Sequence, residues 1–118
     1  MEKDQIKTQM KKGILEFCIL QIISDAEVYA SDILKKLLEA DLIVVEGTLY
    51  PLLSRLKRDD LVDYKWVESK SGPPRKYYVL TTKGEEKLTL FKSSWEEINN
   101  SVNYISHHGK QKNTKNKN

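Results

Sequence analysis

Between residues 60 and 82 the apolar period of this chain switches from 3.6 to 2 and back again, which narrows the possible folds more than any other feature. Before the switch, Leu49, Leu52, Leu53 and Leu56 recur at i, i+3, i+4 and i+7, one stripe of a helix. After Asp60, Val62, Tyr64 and Trp66 alternate with Asp63 and Lys65, and β-type residues resume at Lys76-Tyr77-Tyr78-Val79-Leu80. The segment between them, 68–74, carries Gly72, Pro73 and Pro74 and reads as a stiff loop. A β-hairpin set between helices is the expectation.

The helix ahead of the hairpin, within residues 45–60, has a second face. Opposite its leucines stand Thr48, Tyr50, Ser54, Arg55 and Arg58, hydroxyls and guanidiniums able to donate to phosphate oxygens or base edges. Pro51 fits a helix starting at 46–48, since proline is tolerated in a first turn. Gly47, near that start, would let the backbone approach an anion. Lys70, Arg75 and Lys76 make the hairpin tip basic, suited to touching a phosphate backbone. Polar helix faces and charged hairpin tips are also ordinary solvated surface, so each feature alone is weak.

Two helices are expected upstream. Residues 14–23 read ILEFCILQII, eight apolar in ten, too apolar all round for a helix with one wet face. Cover at a subunit interface, through Leu15 and Ile19, is the simplest outlet. Cys18 reads as a small buried hydrophobe; one cysteine cannot form an internal disulfide. After a polar break at 24–28, Ala30, Ile33, Leu34, Leu37 and Leu38 repeat the helical spacing over about 31–40, with Ser31 as N-cap. Residues 1–12 are polar, a frayed lead-in or a first turn with no assigned function. The 14–23 run is about half of the ~20 residues needed to cross a bilayer. No secretion leader is visible, so a cytoplasmic chain without membrane contact is expected.

Beyond the hairpin, Thr82 and Glu85 have the capping-box form, with Thr81 as the alternative cap. Leu88, Phe91, Trp95, Ile98, Val102 and Ile105 follow at spacings of 3 and 4, an a/d seam of two and a half heptads. The residues between are mostly polar, so the seam needs a partner. A second copy of the chain is the simplest. Residues 107–118 read as a disordered basic tail; its four lysines, Lys110, Lys112, Lys115 and Lys117, take the net charge of +3 down to −1 for the body. DNA attraction would therefore rest on local patches. His107 and His108 lack further spaced ligands, so no metal or other cofactor is expected.

Helix, helix, helix, hairpin and long helix is the order of a winged helix-turn-helix domain (1–81, wing about 61–80) with a C-terminal dimerisation helix (82–106). The fold class is mainly α with a small β-hairpin. The strings KKGILEFCILQII, EGTLYPLLSRLKRDDLV and GPPRKYYVLTTKGEEKL resemble the PadR family of transcriptional regulators, from about residue 12 to 105. The resemblance implies a homodimeric cytoplasmic repressor that binds a palindromic operator in double-stranded DNA, with Thr48, Tyr50 and Ser54 on the recognition helix and Arg75 and Lys76 on the wing. The single short C-terminal helix is similar to that of the smaller subfamily, some of whose members sense aromatic molecules. Trp95 stands where those members carry a tryptophan that stacks on the ligand, with Phe91 and Ile98 beside it; as a seam position it also reads as plain packing. Two departures are visible: Ala30 and Asp60 replace glycines usual in the family. Asp tolerates the left-handed conformation that a helix end often needs. The competing class is a winged-helix module that docks a protein through Tyr50 and Arg55, supported by the near-neutral body. No nucleophile set, paired carboxylates or phosphate-cradling loop points to an enzyme.

Overall fold

The computed structural model describes residues 2–117, with side chains described through 108. The elements run α1 (Glu2–Lys12), α2 (Leu15–Asp25), β1 (Val28–Tyr29), α3 (Ala30–Glu39), α4 (Glu46–Arg58), β2 (Val62–Ser69), β3 (Gly72–Leu80) and α5 (Thr82–Lys117). They fall into two compact units, Met1–Leu88 and Thr89–Asn118. The fold is mainly helical with a small antiparallel sheet.

In the first unit, the apolar stripes of α2, α3 and α4 meet at the base of β2. Ile19, Leu20, Ile33, Leu37, Leu49, Leu53, Leu56 and Val62 are fully buried there. At about 1.5–3 kcal/mol per buried aliphatic side chain, this cluster is the main stabilising term of the unit. It also corrects one expectation. Ile19 is 0% and Leu15 7% exposed within one chain, so neither has surface to give a partner. The apolar α2 finds its cover within a single chain. Leu88 is buried too, at 5% exposed, and closes the first unit instead of opening the seam.

Both α3 and α4 end in the same way. Asp41 and Asp60 take positive φ of 63° and 64°. Leu42 N donates to Leu37 O (2.8 Å) and Leu61 N to Leu56 O (2.9 Å), with a second bond inside each, Asp41 N to Leu38 O and Asp60 N to Lys57 O. These paired bonds satisfy the last helical carbonyls and require a left-handed residue at the turn. The start of α3 differs from expectation: the cap is Tyr29, whose backbone N–H donates to Asp32 Oδ2 at 2.9 Å. Ser31 lies inside the first turn. Pro51 lies in the second turn of α4, further in than a first-turn reading places it, and leaves the Gly47 carbonyl without its intrahelical donor.

The sheet has three strands in the order β1-β3-β2, all antiparallel, one more than the expected hairpin. Val28 pairs with Tyr78 and Tyr29 with Tyr77. The hairpin turn is tighter than a 68–74 loop: Ser69 pairs with Gly72, and Pro73 and Pro74 belong to β3. Proline is tolerated there because β1 reaches only Tyr77 and Tyr78, leaving the outer edge of β3 open, and the β2–β3 register slips between Val67 and Ser69.

Thr81 is the cap of α5, resolving the choice left open between Thr81 and Thr82. Its Oγ1 accepts from Gly84 N (2.9 Å) and donates to Asp60 O (2.6 Å), while its N–H donates to Leu61 O (3.1 Å). One residue thus ties the end of the hairpin, the end of α4 and the start of α5. α5 is helical through Lys117, past residue 106, where the seam reading ends it. Proline is absent from this stretch, and its lysines and glutamine are good helix formers. The side chains of 109–118 lie outside the described residues. α1 is a full helix with no buried residue, tied to the α3–α4 connection by Lys11 Nζ donating to Ile43 O at 2.9 Å.

Candidate nucleic-acid interface

α4 buries Leu49, Leu53 and Leu56 and so turns a wide arc to solvent. Helical spacing puts Gly47, Pro51, Ser54 and Arg58 on the row furthest from those leucines. Nothing within 4 Å would meet a Cβ added at Gly47, so the fold itself does not require glycine there. The expected face is therefore distributed over three sides. Ser54 and Arg58 point outward. Thr48 and Arg55 flank them on the α2 side, where Arg55 Nη2 lies 3.9 Å from Glu16 Oε2. Tyr50 flanks them on the side of the hairpin.

The hairpin is the neighbouring element. Along one face of β2 and β3, Tyr78 is buried, Tyr64 and Lys76 half-buried and Trp66 exposed. Tyr64 sits opposite Tyr78 and Trp66 opposite Lys76, so the face grades from core to solvent. Lys76 Nζ lies 4.5 Å from the Tyr64 ring centroid and 5.5 Å from that of Trp66. Arg75 projects from the other face. Its guanidinium carbon is 3.8 Å from the Tyr29 ring centroid, and its Nη2 donates to Ser31 Oγ. Lys70 is exposed at the turn.

A cleft of about 290 Å³ opens beyond the end of β1, where β3 runs on unpaired. Tyr29, Ser31, Tyr50, Trp66, Arg75, Lys76 and Tyr78 line it. Three predicted residues, Tyr50, Arg75 and Lys76, thus come together, whereas Arg55 lies on the far side of α4. Tyr29, Ser31, Trp66 and Tyr78 were missed. The period-2 pattern did place Trp66 and Tyr78 in strands, but the contact of Ser31 with Arg75 spans 44 positions and leaves no local signal. Burial raises the Tyr78 phenol above its ordinary value, with smaller contributions from Tyr50 and Tyr64. Burial likewise raises the Cys18 thiol, which keeps it protonated and poorly nucleophilic. Among the described residues, no metal-binding cluster is present and no helix is long and apolar enough to cross a membrane.

An exposed helix face beside a basic, aromatic hairpin is the arrangement by which winged helices meet DNA. The sequence profile of the Transcriptional regulator PadR-like family matches residues 19–90, which spans α3, α4 and the hairpin. The chain belongs to the PadR-like family. Solved relatives agree. A PadR-like transcription factor from Bacteroides fragilis is 60% identical, covering 86% of this chain and 98% of its own, with a TM-score of 0.73. A PadR-like transcriptional regulator from Bacillus cereus is 45% identical over 82% of this chain and 95% of its own, TM-score 0.75. A Streptococcus transcriptional regulator is 35% identical over 83% and 97%, TM-score 0.75. This PadR-like protein is a winged-helix, DNA-binding transcriptional regulator, and its relatives are regulators, not enzymes.

Proposed function

We propose that this PadR-like regulator is a homodimeric repressor that occupies a palindromic operator and is released by a small aromatic effector. The observation that carries the reading is the outward row of α4, with Ser54 and Arg58 exposed beside a wing that presents Lys70 and Lys76. α4 enters the major groove, with Thr48, Tyr50 and Ser54 at base edges and Arg58 at phosphate, while Lys70 and Lys76 touch the flanking backbone. The apolar surface of α5 supports a second copy: Trp95, Ile98, Val102 and Ile105 are all exposed in one chain. Phe91 is half-buried and completes the seam. Two copies place two α4 helices on half-sites about 10 bp apart, one helical turn. An effector stacked on Trp95, near Phe91 and Ile98, favours one spacing of those helices over another.

Selection of bound fragments from random double-stranded DNA tests this directly. The expected result is an inverted repeat with half-sites one turn apart, bound as a dimer. Recovery of a single unrepeated half-site, or of no enriched sequence at low salt, overturns it. Titration of planar aromatic compounds against the operator complex tests the effector. Release of DNA by wild type but not by Trp95→Ala is the supporting outcome.

A further inference from the structure

Two basic side chains stand side by side on the wing, yet they do different work. Lys76 rests on Tyr64 and Trp66, both in β2, so its contacts stay within the hairpin. Arg75 reaches out of the hairpin, lying against the Tyr29 ring and donating to Ser31 Oγ in the first turn of α3. The ring it meets is itself held. Tyr29 is paired with Tyr77 in the β1–β3 ladder, packs edge-on against the Tyr77 ring with centroids 4.6 Å apart, and caps α3 through Asp32.

Position gives this contact its importance. Backbone pairing between β3 and the body stops at Tyr77, so the open edge of β3 at residues 72–76 has no ladder to fix it. Two ion pairs also link the hairpin to the body, Lys57 with Asp63 (3.6 Å) near its base and Lys65 with Glu27 (3.0 Å) across β3, and both join exposed charges. Exposed pairs of that kind are weak and screened by salt. A guanidinium against an aromatic face, with a hydrogen bond from the same group, combines direction with attraction.

We propose that Arg75 is a positioning residue: with Tyr29 and Ser31 it forms a latch that sets the wing against the start of α3, so that Lys70 and Lys76 meet phosphate at a fixed distance from α4. This rests on the DNA-binding reading of α4 and the wing above. Arg75 then contributes to operator affinity through geometry, not through neutralising a phosphate. The latch gives Tyr29, which has no place on the recognition helix, a role in binding.

The test compares Tyr29→Leu, Tyr29→Phe, Ser31→Ala and Arg75→Ala by two measurements on the full chain. In operator titrations at several salt concentrations, Tyr29→Leu and Arg75→Ala weaken binding about tenfold, as expected when wings on both half-sites lose a cation–π contact. Their log-log salt slopes change together and by the same amount, since both variants act through the same Lys70 and Lys76 contacts and Arg75 itself neutralises no phosphate. Tyr29→Phe, which keeps the ring, binds as wild type, and Ser31→Ala falls between. In hydrogen–deuterium exchange without DNA, the amides of residues 66–76 exchange faster in Tyr29→Leu and Arg75→Ala but not in Tyr29→Phe. A slope reduced by about 0.9 per contact in Arg75→Ala, with Tyr29→Leu binding normally, makes Arg75 a phosphate contact and overturns the latch. Unchanged wing exchange in both variants overturns it as well, whatever DNA the protein binds. Failure of the wild type to bind any operator, with the exchange result as expected, counts against the DNA reading and leaves the latch standing.

Discussion

Gly84 is the residue at which backbone meets backbone. A Cβ placed there would lie 1.9 Å from Leu61 O and 2.9 Å from Leu61 C, in the turn that follows α4. Alanine is favoured over glycine inside a helix by about 1 kcal/mol, but that gain is outweighed when two backbones must separate. Gly84→Ala is therefore expected to destabilise by at least about 2 kcal/mol, read as a lower urea midpoint with an unchanged slope. Tyr78 supplies a prediction in pH. Burial raises its phenol above the ordinary value near 10, so the folded state keeps the proton after the unfolded chain has lost it. The stability this confers is complete below the unfolded pKa and is lost as pH rises through the folded one. Unfolding midpoints should be flat with respect to Tyr78 up to about pH 9 and fall above pH 10. Tyr78→Phe should remove part of that alkaline fall; an identical alkaline profile in the variant would contradict the assignment. Asp60 shows how far a single residue can be read from sequence: its replacement of a family glycine pointed to a left-handed turn, and its φ is 64°. Asp41, with the same conformation, went unread because nothing local distinguishes it from any polar residue after a helix.

At the scale of elements, long periodic segments were legible and short or tertiary ones were not. The leucine stripe of α4 and the alternation of Val62, Tyr64 and Trp66 located those elements because burial imposes their periods. β1 is only Val28–Tyr29, too short to show a period, and exists because β3 offers it an edge. Pro73 and Pro74 suggested a loop, since sequence cannot reveal that the strand edge beside them is open. Leu15, Ile19 and Leu88 read as interface for a similar reason: apolarity demands cover without saying which chain provides it. The candidate site divides in the same way. Spacing identified the exposed side of α4, but the partner of each basic residue depends on the fold, and this separates the two arginines on that helix. Arg58 faces outward with no ion pair among the described residues, whereas Arg55 leans toward Glu16. Arg58→Ala should flatten the salt dependence of operator binding by about 0.9 per half-site, and Arg55→Ala should leave it nearly unchanged. Equal loss of slope in gel-shift titrations of the two variants would place both at phosphate and make the Glu16 contact irrelevant in the complex.

For the whole molecule, the open question of cover sits on α5. Trp95, Ile98, Val102 and Ile105 lie on one stripe, and none is less than 44% exposed in a single chain. Leaving such a stripe in water forfeits about 25 cal/mol for each Å² that a partner could remove from solvent, whereas the winged unit has already buried its own core. Stability of the first unit and association through α5 should therefore separate. Ile98→Glu puts a carboxylate into the middle of the stripe, and in a two-fold assembly it does so twice, close together and without a basic partner on the seam. The expected outcome is a dimer dissociation constant raised by on the order of a thousandfold, seen as a shift to monomer in sedimentation at micromolar concentration. Far-ultraviolet circular dichroism of the helices should change little, because Ile98 supports no contact in the core. On the proposed dimeric reading, operator affinity should fall steeply, since one α4 helix would read only half of the site and the second half-site would no longer bind at high effective concentration. A monomer that held the full inverted repeat as tightly as wild type would break the link between the seam and recognition. A variant that remained dimeric would move the interface to other exposed apolar surface, of which Ile6 and Met10 on α1 are the nearest in kind.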